Sequence, residues 1–544
     1  MLEREQSEEI EVFRRQSSGL VRSFGYLDLW IYNIFGSMII LVGFAYLYSQ
    51  GPWAFPQGNM AVSILISAIW ATPFFIGYAL MAVTMPRSGG DYVFQSRVLH
   101  GSIGFTTMIA LALSCFVWNA LDGVWLSAFG LFPGLESLGL SMNNSAIVSL
   151  GTFFSTPTGY FVATLFVNIP TFFIFLSGMK IGLRIQRLGV VAAMTGVATA
   201  IIVGLSFNHV EFVTQFNLIM SKLGAPANFY QVIVSTAISH GFDPNFSFNW
   251  NQTLGLTPLV WLFLAWPMWG LINSGEIKNV QDVKKMVGSI IAALWFVATV
   301  SIVIVLELFH LVGQSFMSYI GWGFYTGGIS LPIAPWYTVF LDFMTSNPIP
   351  AVLISFAIIA IAYTNNWVNY VAGSRMMLAA SLDRSLPDWF GRVSTRFHQT
   401  INIGILFLIM PIVVAYLYDF THFASYTVAL STIANVFMLF TSLALIIVPY
   451  RASMKDIWNA SPASKYKLGG VPAIVLCGIA GLTFNLVMMY YEFVYANLLV
   501  NTSSGLVGLA ALFLGLFVYW WIDRSYLKTK GVDIALVYRE IPPM

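Results

Sequence analysis

An all-α membrane fold of about twelve transmembrane helices is predicted from three observations. The first is composition. Of 544 residues, 58% are apolar and only 9% charged, with a mean hydropathy of +0.78, whereas a soluble domain carries roughly 25% charged residues. So little charge cannot hold a chain of this size in water. The net charge of +2 gives no reason to expect nucleic acid as a partner.

The second observation is the spacing of apolar runs. A bilayer core requires ~20 apolar residues per helix. Runs of that kind occupy 27–48, 60–85, 103–130, 158–178, 188–207, 256–274, 286–312, 351–372, 401–418, 423–448, 471–497 and 504–523. The sixth is short and interrupted. The ninth and tenth are separated only by Asp419, Thr421 and His422. The first 24 residues are too polar to open a cleaved signal, so the first apolar run reads as a retained span.

The third observation is the placement of basic residues. With both termini cytoplasmic, 24 of the 25 Lys and Arg fall on the inner side, and Lys222 alone falls outside. Inner loops are expected to be basic, and one miscounted span would scramble this alternation downstream. Cys115 and Cys477 both lie in apolar runs and read as small buried hydrophobes.

Two spans carry helix-breaking residues near mid-depth. The first has Gly36-Ser37 within Tyr32–Met38, and the sixth has Trp266-Pro267-Met268-Trp269-Gly270. Proline inside a helix costs ~3 kcal/mol or more, and broken backbone is tolerated at membrane depth only where protein or water covers it. Taken singly, packing or kinking explains either break about as well. Taken together, they occupy matching positions if spans one and six each open a five-helix half. Five is odd, so the halves are inverted, which is the pattern of transporters with a midplane site.

The expected organisation is an N-terminal tail (1–24), a first repeat (25–207), an outer loop (208–255) and a second repeat (256–448). Two further helices with their preceding loop follow (449–523), then a C-terminal tail (524–544). The loop after span two and the outer loop 313–350, with Gly327-Gly328 and Pro332-Ile333-Ala334-Pro335, are turn-rich enough to hold re-entrant or surface helices.

Three stretches carry a resemblance. PRSGGDYVFQSR (86–97) follows span two, GEIKNVQDVKK (275–285) closes span six, and SRMMLAASLDRSLPDWFGRVS (374–394) follows span eight. In order and at these depths, they resemble signatures of the amino acid–polyamine–organocation superfamily of permeases, over about residues 25 to 520. The resemblance implies a secondary active transporter, symporter or exchanger, working by alternating access. Backbone N–H groups around Gly36, Ser37 and Met38 would take a substrate carboxylate, and carbonyls around Leu264, Ala265 and Trp266 would take its ammonium. Physically, a zwitterion suits two facing helix ends of opposite polarity. The sequence departs from the family pattern in three places. The first span has one glycine, Gly36, before Gly43; Ala265-Trp266-Pro267 stands at the sixth-span break; and Val280 replaces a proline.

Individual side chains are weighed against plainer roles. Trp266 and Trp269 wall the substrate site or simply pack. Asp122, one turn after Asn119, is an intramembrane acid and hence a functional candidate. Its position outward of mid-span suits an outer vestibule or an interface equally. Thr364, Asn365, Asn366 and Asn369 form a polar cluster in span eight; Thr364 and Asn365 could coordinate an ion beside the first helix, or the cluster could bind helix to helix. Glu307 and His310 read as a solvated pair. Arg87, Glu276, Lys278, Arg375 and Asp383, read in cytoplasmic segments, are gating candidates, although Arg375 and Lys278 singly suit the basic-loop rule better.

No enzyme signature is present in the sequence, and the six histidines show no ligand spacing. No cofactor is expected, and the motor would be an H+ or Na+ gradient or exchange. With no acid at the breaks, a neutral amino acid with an apolar side chain is the favoured substrate. A polyamine or other organic amine, or an amino-acid sensor without transport, are the alternatives. The expected location is the cell membrane.

Overall fold

The computed structural model describes residues 20–36, 47–342, 344–345, 347–421, 430–495, 503–531 and 537–538. Among them, nine helices are long and apolar enough to cross a membrane, or ten if Thr432–Ile447 and Ala452–Ala460, bent by 78°, are one span. The chain is an all-α integral membrane protein. The one β-hairpin among the described residues, β1 (Lys467–Leu468) with β2 (Val471–Pro472), turns through Gly469 and Gly470, both at positive φ, the conformation that such two-residue turns require.

The chain opens with α1 (Tyr26–Gly36) and resumes after 37–46 with α2 (Tyr48–Ala54). Next come α3 (Met60–Thr84), the short α4 (Asp91–Val98) and α5 (Gly101–Trp125). The Asn59 side chain caps α3 by accepting from Val62 N–H, satisfying one of the orphan donors of a helix start. Six π-helical residues, Leu126–Leu131, join α5 to α6 (Phe132–Ser141). The third apolar run therefore extends well past the predicted residue 130, because this π-helical stretch continues the helix without ending it.

Two long spans follow, α7 (Pro157–Leu176) and α8 (Met179–Ser206). The sixth run is helical only over α9 (Thr257–Leu264); beyond it lie an open turn at 265–268 and 3-10 turns at Trp269–Ile272 and Ser274–Glu276. After α10 (Val283–Leu311), the 313–350 segment contains α11 (Gln314–Thr326) and α12 (Tyr337–Asp342). The next helix, α13, runs from Pro348 to Leu382. At 1.5 Å per residue its length is about 52 Å, far beyond a ~30 Å hydrocarbon core. The third signature, read as a loop after span eight, thus begins on this helix, and Ser374, Arg375 and Ser381 are helical and buried.

The remaining spans are α14 (Ile401–Phe420), α15 (Leu430–Ile447), α16 (Ala473–Val494) and α17 (Ser503–Thr529). The core forms where α8 packs on α13, α3 on α10, and α16 on α15 and α3. In contrast, α17 lies at the edge, with Val507, Leu514 and Ile522 more than 60% exposed. Such side chains are suited to lipid.

Candidate functional site

Around the break after α9, the described part of the first span meets the sixth at close range. A Cβ added to Gly36 would lie 2.9 Å from Trp269 Cδ1. One turn earlier, Asn33 Oδ1 accepts the Gly270 N–H at 2.8 Å, so a buried amide satisfies backbone released by the interrupted helix. Asn365 of α13 donates through Nδ2 to the Phe35 carbonyl at 2.8 Å. Three chain segments are thereby tied at one level.

Aromatic rings extend from this point. Trp269 and Trp266 meet edge to face with centroids 5.1 Å apart, Trp266 meets Trp118 at 6.1 Å, and Trp118 meets Trp125 at 5.8 Å. Trp266 Nε1 donates to the Leu262 carbonyl at 2.7 Å, and its ring is only 5% exposed. Leu264 and Ala265 are buried at the end of α9. The structure brings Gly36, Trp266 and Trp269 together with these two residues, whereas Ser37 and Met38 lie outside the described residues. Sequence reading missed Asn33 and Trp118; a lone amide in an apolar helix was the available signal for Asn33.

The span-eight cluster divides into separate roles. Thr364 Oγ1 donates to the carbonyls of Ala360 and Ile361 in its own helix, and Asn365 Oδ1 accepts from Asn369 Nδ2 at 3.0 Å. Asn366 turns instead toward α5 and donates to Asp122 Oδ2 at 3.2 Å and to the Asn119 carbonyl at 3.1 Å. Asp122 is 0% exposed, covered where α13 packs over this face of α5. Glu307 is no solvated partner of His310. Its carboxylate is buried and accepts the Tyr337 hydroxyl of α12, while His310 is exposed.

At the end of the bundle that carries the signatures, all three meet. Gly89 N–H donates to the Ile272 carbonyl at 2.7 Å, and Ser274 Oγ donates to the Arg87 carbonyl at 2.7 Å. Gly89 and Gly90 have φ of +109° and +48°, and a Cβ on Gly90 would sit 2.9 Å from Ile272 Cα. Both the turn and the close approach therefore require glycine. The second signature binds the third: Arg375 donates Nε to Glu276 Oε1 at 2.8 Å and Nη2 to Oε2 at 3.1 Å, and Nη1 to Gln399 Oε1 at 2.9 Å. The first binds the third again through Arg97 Nη2 and Asp383 Oδ1 at 2.8 Å. Arg375 is thus a buried ion-pair partner and not merely a topogenic charge, and Lys278 is the exposed one. Half-burial, and next the charge of Arg22, pull the Arg87 guanidinium below its ordinary value.

A helical membrane bundle whose sixth apolar run is interrupted after α9 is an architecture suited to a permease. Over 436 residues the chain is 25% identical to a branched-chain amino acid permease, BcaP, of Lactococcus lactis subsp. cremoris (strain MG1363), covering 79% of this chain and 82% of that one. A scan against protein-family models finds no match. Taken with the three signatures, the similarity supports a likeness to permeases of the amino acid–polyamine–organocation superfamily.

Proposed function

We propose that this protein is a secondary active transporter, symporter or exchanger, of neutral amino acids working by alternating access. Its spans would number twelve, with a five-plus-five inverted-repeat core over 25–207 and 256–448, in the cell membrane with both termini cytoplasmic. The observation that carries the reading is the abutment of Gly36 on Trp269 beside the open turn at 265–268. Freed backbone groups there suit a zwitterion without any side-chain charge.

In this reading Gly36, Ser37 and Met38 receive the carboxylate. Leu264, Ala265 and Trp266 receive the ammonium, and Trp266 and Trp269 wall an apolar side chain. The name of the Lactococcus relative, a branched-chain amino acid permease, agrees with an apolar substrate. Arg87, Glu276 and Arg375 serve as the gate at the signature end. Thr364 and Asn365 serve an ion that couples transport to an H+ or Na+ gradient.

Uptake of labelled amino acids and amines into proteoliposomes with imposed gradients tests the reading. Leucine-like substrates should accumulate and be displaced by their own kind rather than by lysine or putrescine. Preferential uptake of a diamine would sink the neutral-substrate reading, and no uptake or exchange across the panel would sink transport itself.

A further inference from the structure

Asn119 and Asp122 stand three residues apart on α5, so they share one helix face, and Asn366 of α13 lies against both. The two contacts of Asn366 Nδ2, to Asp122 Oδ2 and to the Asn119 carbonyl, occupy that amide nitrogen. Four buried atoms remain without a hydrogen-bond partner among the described residues: Asp122 Oδ1, Asn366 Oδ1, and Oδ1 and Nδ2 of Asn119. All three side chains are 0% exposed. No described Lys, Arg or His forms an ion pair with Asp122.

A buried carboxylate in such a place must be neutralised, because an unpaired charge in a low-dielectric interior is prohibitively costly. A proton neutralises it but supplies a single donor. That donor ties the carboxyl to one amide oxygen only. A small hard cation accepts carboxylate and amide oxygens together. One carboxylate matches one positive charge, so the set suits a monovalent ion.

We infer that Asn119, Asp122 and Asn366 form a sodium site between α5 and α13. Beside it, the Thr364 hydroxyl donates within its own helix, and the Asn365 amide donates to Phe35 and accepts from Asn369. This adjacency gives the ion its leverage. Sodium held by Asn366 fixes α13 against α5, and the preceding residue, Asn365, anchors the last described turn of α1 next to Gly36. Ion occupancy and the geometry of the amino-acid site are thereby linked through one turn of helix. The link to transport rests on the function proposed above, but the site itself does not.

The test uses the purified full-length protein without amino acid. Binding of 22Na+ and the thermal unfolding midpoint are measured in NaCl against KCl and choline chloride at equal ionic strength. Saturable 22Na+ binding and a sodium-specific rise in the midpoint are expected, with binding weakened about tenfold or more, roughly the effect of 1.4 kcal/mol, in Asp122→Asn. That variant removes the charge with almost no change of shape, and Asn366→Ala provides a second, independent loss. Absence of sodium binding in the unaltered protein, or its retention in both variants, overturns the site. Accumulation driven by a pH gradient and indifferent to sodium overturns the link between the site and transport. If sodium binds and no amino acid is transported, the proposed function fails and the site stands.

Discussion

Glu276 and Arg375 form a two-pronged, fully buried ion pair that fastens the 3-10 end of the sixth apolar run to the extension of α13. Both members lie in signature stretches, and the Gln399 side chain holds a third guanidinium nitrogen. Separating such a pair while both groups stay buried leaves each charge uncompensated. The pair is an arrangement suited to a gate whose two states differ by the movement of one helix.

Loss of one partner should be far worse than loss of both. Glu276→Ala strands the Arg375 charge, and breaking a buried pair in this way costs about 3–5 kcal/mol. A marked drop in the thermal unfolding midpoint is expected for Glu276→Ala, with partial recovery when Arg375→Met is added. Equal midpoints for the single and double variants would mean that the two side chains are not coupled.

Gly36→Leu should abolish uptake while leaving a folded protein. The added side chain must enter space held by Trp269, whose Cδ1 and Cβ lie 2.9 and 3.0 Å from the position of the first new atom. Trp269→Ala opens that space, so combining the two should restore part of the substrate binding. Uptake by Gly36→Leu at the unaltered rate would remove this contact from the transport path.

At Gly89 the cost is steric twice over. Its φ of +109° disfavours any side chain, and a Cβ there would lie 2.5 Å from Ala379 Cβ. Gly89→Ala should destabilise by more than the ~1 kcal/mol typical of an unfavourable backbone region alone. Adding Ala379→Gly relieves the clash and leaves the backbone cost. A comparison of the unfolding midpoints of both variants separates the two contributions.

Tyr337→Phe tests the buried carboxyl of Glu307. Removal of its donor leaves a buried acceptor unmet, a loss of about 1–3 kcal/mol, while shape hardly changes. Glu307→Gln, which keeps a polar group and drops the charge, should be tolerated better. Thermal unfolding of the two variants decides the order, and the reverse order would show that the charge itself is stabilising.

Much of this architecture was legible from composition and periodicity. Burying or exposing to lipid a chain that is 58% apolar leaves helices as the available solution, since every backbone donor must then be satisfied within its own segment. Pro267 marked the interruption after α9 because a missing N–H cannot be hidden by any fold. The glycine pair at 89 and 90 and the Glu276 segment stood out as signatures, but their meeting at one end of the bundle could not be read. Their separation in the chain exceeds 180 residues, and no local preference records a contact over that distance.

Tertiary structure decided which polar groups are inside. Asp122 read as an intramembrane acid with either a vestibule or an interface position, and Glu307 as a solvated acid, because depth along a helix says nothing about rotation around it. Only the packing of α13 over α5, and of α12 beside α10, fixes that rotation and buries both carboxyls. Likewise, Arg375 read as a loop charge until the length of α13 carried it onto Glu276. By itself the sequence determined the solvent, the helices and the place where one of them breaks, since these follow from the covalent chemistry of neighbouring residues. The pairing of charges and amides was left to the folded bundle, since burial and partners depend on atoms that the chain brings together only from a distance.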